Sequence, residues 1–126
     1  MNFNREIGEI YRLKVPFDGE VYTSVFLMKN PAGHLLIDCA TTAQDVDEYI
    51  LPALANMGLS FADIKYLVLT HNHSDHAGGK NRVLLHNPKI EIVDVFCEKV
   101  ENGPPMYALK GIWKWIWKWK RALSVV

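Results

Sequence analysis

The sequence lacks three features that would each define a class of protein. Its two cysteines, Cys39 and Cys97, are too few for a disulfide framework, and no apolar run approaches the roughly 18 residues of a membrane span. Basic and acidic residues both number 14, so no excess of positive charge favours nucleic acid. The first residues do not resemble a signal peptide. We therefore expect a reduced, cytoplasmic protein with no transmembrane segment and no nucleic-acid partner.

The composition that is present is that of a globular protein. Hydrophobic residues make up 49% of the 126 residues and charged residues 22%, which argues against intrinsic disorder. One compact domain is expected at this length. Five basic residues and all four tryptophans lie after residue 104, however. We therefore divide the chain into a body, residues 1–103, and a basic, tryptophan-rich amphipathic tail, residues 104–126.

Apolar patterns and turn signals predict alternating strands and helices in the body. One helix is expected after the N-cap candidates Thr41 and Thr42. Pro52 would interrupt this helix and Gly58 would end it. A second helix is expected to end near His86. Strands are predicted at 9–15 and 21–28, around a turn at 16–19, and then at 34–38, 66–70 and 90–95. This order indicates an α/β (α+β) fold.

The densest group of metal-binding side chains directly follows a predicted strand. Residues 70–79 read Thr-His-Asn-His-Ser-Asp-His-Ala-Gly-Gly and hold three of the five histidines. If the chain leaves the strand still extended, His71 and His73 project to one side and can bind one ion. Asp75 and His76 are adjacent and converge only through a turn, for which the two following glycines leave room. The alternative is a chance histidine cluster on a surface loop.

This segment resembles the HxHxDH motif of the metallo-β-lactamase-fold hydrolases. In addition, Leu36-Ile37-Asp38-Cys39-Ala40 is similar to the family's strand-ending IDTG element, with Cys39 and Ala40 in place of the usual Thr and Gly. The resemblance covers approximately residues 8–97. It implies the N-terminal half of an αββα sandwich, with one mixed β-sheet and flanking helices.

The resemblance also implies a role for each motif residue. His71 and His73 would bind a first zinc ion, and Asp75 and His76 a second, so that the complete family site holds up to two Zn²⁺. Asp75 is implied as the catalytic residue, which orients a metal-bound hydroxide for attack on an ester, thioester or lactone bond of a small-molecule substrate. Asp38 would accept a hydrogen bond near the site and fix the tautomer of a histidine.

The family's later metal ligands have no counterpart in this sequence. We interpret His34 as a surface residue and His86 as a helix-end residue favoured by the helix dipole, so neither is expected to bind metal. Cys39 is interpreted as a small buried residue. One sheet of the sandwich would leave its inner face uncovered. We therefore expect a fragment, or a chain completed by another, with weak or no activity alone. The alternative is a non-catalytic metal-binding remnant or interaction module.

The tail has two interpretations. In a strand, all four tryptophans share one face. In a helix, a basic stripe lies opposite an apolar stripe formed by Ile112, Trp115, Ile116, Trp119 and Leu123. Such a helix would lie on a membrane surface or pack against the absent half of the sandwich, and the second is favoured. An exposed tryptophan patch also predicts self-association through residues 112–123.

Overall fold

The computed structural model describes residues 2–70 and 78–94, which form a six-stranded mixed sheet with short helices. The strands are β1 (Asn4–Ile7), β2 (Ile10–Asp18), β3 (Val21–Met28), β4 (His34–Ile37), β5 (Ile64–Leu69) and β6 (Glu91–Asp94). Their order in the sheet is their order in the sequence. Strands β1 to β4 pair antiparallel, whereas β5 pairs in parallel with both β4 and β6. The predicted mixed sheet is confirmed.

The helical segments lie between the parallel strands. Between β4 and β5 come α1 (Ala43–Asp45), a π-helical turn (Val46–Ile50), α2 (Leu51–Asn56) and a 3₁₀ turn (Phe61–Asp63). Helix α3 (Lys80–His86) lies between β5 and β6. A parallel pair needs such a crossover because its two strands start at the same edge of the sheet. The predicted α/β (α+β) class therefore follows from the two helical crossovers.

The predicted turn at residues 16–19 is wrong. Strand β2 continues through Pro16, which pairs with Tyr22, and ends at Asp18. The register shifts between Pro16 and Asp18, and an irregularity of this kind accommodates a residue that has no N–H to donate. The chain reverses after Asp18 instead, where Gly19 takes a left-handed φ of 57°. Strand β1 was not predicted, since all four of its residues are exposed and show no apolar pattern.

The predicted helix boundaries between β4 and β5 are confirmed. The Thr42 hydroxyl accepts a hydrogen bond from the N–H of Asp45 at 3.1 Å, and the Asp45 carboxylate accepts from the N–H of Thr42 at 3.1 Å. This reciprocal pair is a capping box. Pro52 lies in the first turn of α2, where its missing N–H costs little, and the π-helical turn precedes it. Gly58, at φ 73°, ends the helical segment.

One face of the sheet packs against the helices and forms the main core. Strand residues of this face interdigitate with apolar residues of the π-helical turn and α2. The fully buried members include Leu13, Val25, Leu36 and Leu67 from the strands and Val46, Ile50 and Leu54 from the helical segment. Since the other face of β4 and β5 is also buried near their carboxyl ends, residues 35–37 and 66–69 are apolar runs rather than an alternating pattern.

The opposite face carries a separate apolar group, which we name the second-face cluster. Its buried members are Ile10, Met28, Leu35, Ile37 and Val68, with Phe26, Tyr66 and Val93 packed against them. Leu35 and Val68 are 0% exposed and Ile37 is 1% exposed. A sheet face open to water would leave such side chains partly accessible. These cluster side chains are therefore shielded from water, and the expectation that an absent second half covers this face stays a prediction.

None of the described helices is long and apolar enough to cross a membrane. Residues 71–77 and 95–126 lie outside the described part of the chain. The division into a body of residues 1–103 and a tail of residues 104–126 therefore stays a prediction, as do the interpretations of the tail itself.

Candidate functional site

The candidate site lies where the parallel strands β4 and β5 end side by side. Ile37, the last residue of β4, pairs with Val68 in β5. The chain then continues into Asp38 on one side and Thr70 on the other, and both residues are buried. The carboxyl ends of parallel strands are the usual place for a functional site in α/β proteins. Two buried polar residues at this edge therefore mark the candidate site.

Asp38 links the two strand ends through three hydrogen bonds. Its backbone N–H donates to the carbonyl oxygen of Val68 at 2.8 Å. Its Oδ1 accepts from the backbone N–H of Thr70 at 2.8 Å, and its Oδ2 accepts from the Thr70 hydroxyl at 2.6 Å. A buried carboxylate is tolerated only when such donors replace water. Because Thr70 immediately precedes His71, this pair fixes the point at which the histidine motif begins.

The segment Asp38–Cys39–Ala40, which we name the site turn, has an unusual backbone. Asp38 has φ 65° and Ala40 has φ 61°, and both values lie in the left-handed region. This region costs a residue with a Cβ about 1 kcal/mol or more relative to glycine. Ala40 occupies the position at which the IDTG-like pattern has glycine. The folded chain is therefore less stable by this amount than it would be with glycine at position 40. Strained backbone of this kind is common at functional sites.

Gly79 packs directly against the site turn. Its N–H donates to the carbonyl oxygen of Ala40 at 3.3 Å. A Cβ at Gly79 would overlap the carbonyl oxygen of Cys39 and would lie 2.6 Å from Cγ2 of Val46. The φ of Gly79 is −85°, which any residue adopts, so glycine is required here by space alone. The site turn thus holds both ends of the segment that carries the histidine motif, through Thr70 before it and Gly79 after it.

Cys39, in the middle of the site turn, is fully buried, as the sequence predicts. Burial raises the pKa of its thiol from 9.0 to about 12, and the negative charge of Asp38 acts in the same direction. A hydrogen bond from the Gly79 backbone and the charge of Lys80 lower the pKa of the thiol by less. The thiol is therefore protonated at neutral pH and is not activated as a nucleophile.

The four predicted metal ligands, His71, His73, Asp75 and His76, lie outside the described residues. Their assignment, and that of Asp75 as the catalytic residue, stays a prediction. Among residues 2–70 and 78–94, no group of three or more His, Cys, Asp or Glu side chains is arranged to hold a metal ion.

The remaining two histidines have local structural partners. Nε2 of His86 lies 2.8 Å from a carboxylate oxygen of Asp47, and the ring stacks on Phe61 with centroids 4.9 Å apart. Nδ1 of His34 accepts a hydrogen bond from the N–H of Asn30 at 3.0 Å. His34 is thus half-buried rather than exposed, because its ring closes the turn before β4. These contacts give both histidines structural roles, and the expectation that neither binds metal stays a prediction.

Comparison with known proteins agrees with this arrangement. A family model described as the metallo-beta-lactamase superfamily matches residues 18–95, which include β3 to β6, the site turn and the histidine motif. The chain belongs to the metallo-beta-lactamase superfamily. Members of this superfamily are metal-dependent hydrolases that usually use zinc. The predicted family and its N-terminal-half fold are therefore confirmed.

Two curated proteins of the superfamily show the extent of the match. The chain is 28% identical over 102 residues to the N-acyl homoserine lactonase AttM of Agrobacterium fabrum, covering 65% of this chain and 36% of that protein. It is 32% identical over 91 residues to the probable metallo-hydrolase YqjP of Bacillus subtilis, and this match covers 71% of this chain and 24% of that protein. The chain thus spans about a quarter to a third of the length of these relatives.

Solved metallo-beta-lactamases share the fold. The subclass B3 enzyme BJP-1 of Bradyrhizobium japonicum is 25% identical with a TM-score of 0.59, and the match covers 73% of this chain and 32% of that one. FEZ-1 of Legionella gormanii is 23% identical with a TM-score of 0.61, and the match covers 73% of this chain and 32% of that one. The second likeness concerns the fold alone. Both matches cover most of this chain and one third of the complete enzyme.

Sequence reasoning missed the way this superfamily member anchors its motif. It expected Asp38 near the site but did not find Thr70 as its partner, although each residue directly follows an apolar strand. It gave Gly79 the role of leaving room for a turn, whereas the structure shows Gly79 in contact with Cys39 and Val46. The substitution of alanine for glycine at position 40 was the one signal that the site turn has unusual backbone angles.

Proposed function

We propose that His71, His73, Asp75 and His76 bind zinc, up to two ions, and that the chain supplies this part of the active site of a metallo-hydrolase. The observation that carries the proposal is the anchoring of the motif at both ends to one site turn. Thr70 is bonded to Asp38, and Gly79 packs against Cys39 and donates to Ala40. The motif therefore leaves and rejoins the described structure at nearly the same place.

The donor set suits zinc. Three imidazoles and one carboxylate are side chains that zinc accepts in catalytic sites. Asp38 is a poor candidate for a further ligand, because both of its carboxylate oxygens already accept hydrogen bonds from Thr70. Its role is instead to fix the strand ends from which the motif begins. Whether it also orients one of the histidines stays a prediction.

The proposed chemistry is hydrolysis of a carbonyl compound. Bound zinc supplies positive charge, which lowers the pKa of water and polarises a carbonyl group. The carboxylate of Asp75 is proposed to orient the attacking nucleophile. Esters, thioesters and lactones are the proposed substrate classes. Because one relative is a lactonase for N-acyl homoserine lactones, such a lactone is the first substrate to test.

Zinc titration of the metal-free chain tests the metal site. We expect the double variant His71→Ala/His73→Ala to lose at least tenfold in zinc affinity, measured by competition with a chromophoric chelator. The matched control is His34→Ala/His86→Ala, which also removes two imidazoles but leaves the motif intact. Equal affinity of the two double variants would show that the motif does not bind the metal.

A hydrolysis assay separates catalysis from metal binding alone. The second candidate is a metal-binding module without turnover. With zinc present, lactone hydrolysis that is lost in Asp75→Ala supports the enzyme. Zinc binding that depends on His71 and His73, without hydrolysis above that of Asp75→Ala, supports the module.

A further inference from the structure

The hydroxyl oxygen of Thr41, next to the site turn, is buried without a hydrogen-bond partner. Within residues 2–70 and 78–94, two buried side-chain atoms lack such a partner, Oγ1 of Thr41 and Nε of Arg82. The Arg82 atom lies 3.4 Å from Oδ2 of Asp47 and so has an ionic partner. The Thr41 hydroxyl is therefore the buried polar group whose hydrogen-bonding capacity the described residues leave unused. A group of this kind in a folded protein points to a ligand, an ion or a water.

The helix that follows Thr41 does not require this hydroxyl. The helix cap is made by Thr42, whose Oγ1 accepts a hydrogen bond from the N–H of Asp45 at 3.1 Å. Thr41 contributes through its backbone alone, because its N–H donates to Oδ2 of Asp45 at 3.3 Å. Valine has the same shape and the same N–H, and it would avoid the free-energy cost of burying an unpaired hydroxyl. The start of the helix thus explains the hydroxyl at position 42 but not the one at position 41.

The position of Thr41 connects its hydroxyl to the candidate site. Three residues before it, the carboxylate of Asp38 accepts both hydrogen bonds from Thr70. Immediately before it, the carbonyl oxygen of Ala40 accepts from the N–H of Gly79. Thr41 therefore follows directly on both points at which the segment with the histidine motif is attached. Its hydroxyl can donate one hydrogen bond and accept two.

We propose that Thr41 is a positioning residue of the metal site, and that its hydroxyl forms its hydrogen bond there when zinc is bound. The proposal rests on the zinc site proposed above for the histidine motif. Groups that hydrogen-bond to metal ligands without touching the metal orient those ligands and raise the affinity for the metal. The Thr41 hydroxyl suits this role because no described group uses its hydrogen bond. Zinc binding would then offset the cost of burying it.

Zinc affinity of the variant Thr41→Val tests the proposal in the full-length chain, by competition with a chromophoric chelator. Valine keeps the shape of threonine but cannot hydrogen-bond, so we expect zinc to bind at least about tenfold more weakly than to the wild type. Thr41→Ser restores the hydroxyl and should bind zinc nearly as tightly as the wild type. In zinc-free buffer, urea denaturation of Thr41→Val should have a midpoint at least as high as that of the wild type, since an unpaired buried hydroxyl is removed.

Thr42→Val is the matched control, because it removes the hydroxyl of the adjacent residue, whose partner is the N–H of Asp45. Loss of this cap should lower the urea midpoint in zinc-free buffer. Zinc affinity should stay close to the wild-type value. Opposite responses of the two neighbouring threonines would separate positioning of the metal site from stability of the helix.

Three results would overturn the proposal. Wild-type zinc affinity in Thr41→Val would show that the hydroxyl does not act on the metal site. A lower urea midpoint of Thr41→Val in zinc-free buffer would show that the hydroxyl already has a partner, such as an ordered water, without zinc. Equal loss of zinc affinity in Thr41→Val and Thr42→Val would show that both residues act through the start of the helix.

The double variant His71→Ala/His73→Ala distinguishes failure of this proposal from failure of the proposed zinc site. If the double variant loses zinc affinity and Thr41→Val does not, the motif binds the metal and Thr41 has no part in it. If the double variant keeps wild-type zinc affinity, the zinc site itself is wrong and the inference about Thr41 fails with it.

Discussion

The two ends of the histidine motif are held by different kinds of contact. Before the motif, Thr70 is held by charged hydrogen bonds to the carboxylate of Asp38. After it, Gly79 is held by close packing against the backbone of Cys39, with one weaker hydrogen bond to Ala40. The first end depends on a functional group, and the second depends on the absence of a side chain. The two ends should therefore respond differently to substitution.

The largest expected effect comes from adding one methyl group at the second end. Gly79→Ala would place a Cβ against the Cys39 carbonyl and 2.6 Å from Cγ2 of Val46. Since the carbonyl is backbone and cannot move alone, we expect a loss of about 3 kcal/mol in the free energy of unfolding. Urea denaturation in zinc-free buffer measures it.

Gly58→Ala is the matched control for this substitution. Gly58 has φ 73°, and a Cβ there would meet nothing within 4 Å, so only the backbone conformation is penalised, by about 1 kcal/mol. Adding Val46→Ala to Gly79→Ala should not restore stability, because the overlap with the carbonyl remains. A loss at Gly79 no larger than that at Gly58 would contradict the packing role of Gly79.

Substitution of the carboxylate at the first end should cost somewhat less. Asp38→Asn keeps the shape but removes the charge that strengthens both hydrogen bonds from Thr70, and we expect a loss of about 2 kcal/mol. In a double-mutant cycle with Thr70→Val, the two losses should be less than additive. The control is Glu48→Gln, at an exposed carboxylate that accepts a hydrogen bond from the Gln44 side chain. This substitution should change the free energy of unfolding by less than about 0.5 kcal/mol. Additive losses would show that Asp38 and Thr70 act separately.

The buried thiol of Cys39, which lies between the two ends of the motif, predicts that the free energy of unfolding falls at alkaline pH. Because its pKa is about 12 in the folded chain and 9.0 is the ordinary value, the folded state holds the proton more tightly. The resulting stability is fully present below pH 9 and is lost as pH rises from 9 towards 12, by about 1.4 kcal/mol per pH unit. Urea denaturation between pH 8 and 10.5 should therefore show a steeper decline for the wild type than for Cys39→Ala. Parallel curves would contradict the assignment.

The smallest expected effect is a gain. Ala40→Gly relieves the left-handed backbone at φ 61° and should stabilise the chain by about 1 kcal/mol. The same change at an exposed helical position, Ala55→Gly in α2, should destabilise by about 1 kcal/mol. If the same substitution stabilises the chain at position 40 and destabilises it at position 55, the gain at position 40 comes from relief of backbone strain and not from a general effect of glycine. A loss in Ala40→Gly would show that the turn is not strained at this residue.

The fold was most predictable where a structural element depends only on residues that are close together in the sequence. The Thr42 cap and the Gly58 helix end depend on neighbours in the chain, and both predictions are confirmed. The hairpin turn was misplaced because the Pro16–Gly19 stretch has every local feature of a turn. The register with β3 decides the question, since Pro16 pairs with Tyr22, and that register is not a local property.

The anchoring of the site could not be predicted for the same reason. Asp38 and Thr70 are separated by 32 residues, and they meet only because β4 and β5 pair in parallel with Ile37 opposite Val68. The contact of Gly79 with Cys39 needs, in addition, the position of α3 beside the site turn. The residue types that suit a metal were visible in the sequence, whereas the frame that holds them depends on the three-dimensional arrangement of the strands.

Strand β1 has a consequence for how copies of this protein behave in concentrated solution. Its four residues are all exposed, they include Arg5 and Glu6, and the ladder with β2 shifts register between Arg5 and Ile7. An incoming strand from another molecule would meet charged side chains and an interrupted row of hydrogen-bonding groups. The sheet is therefore protected at this edge against the stepwise strand addition that starts amyloid-like growth.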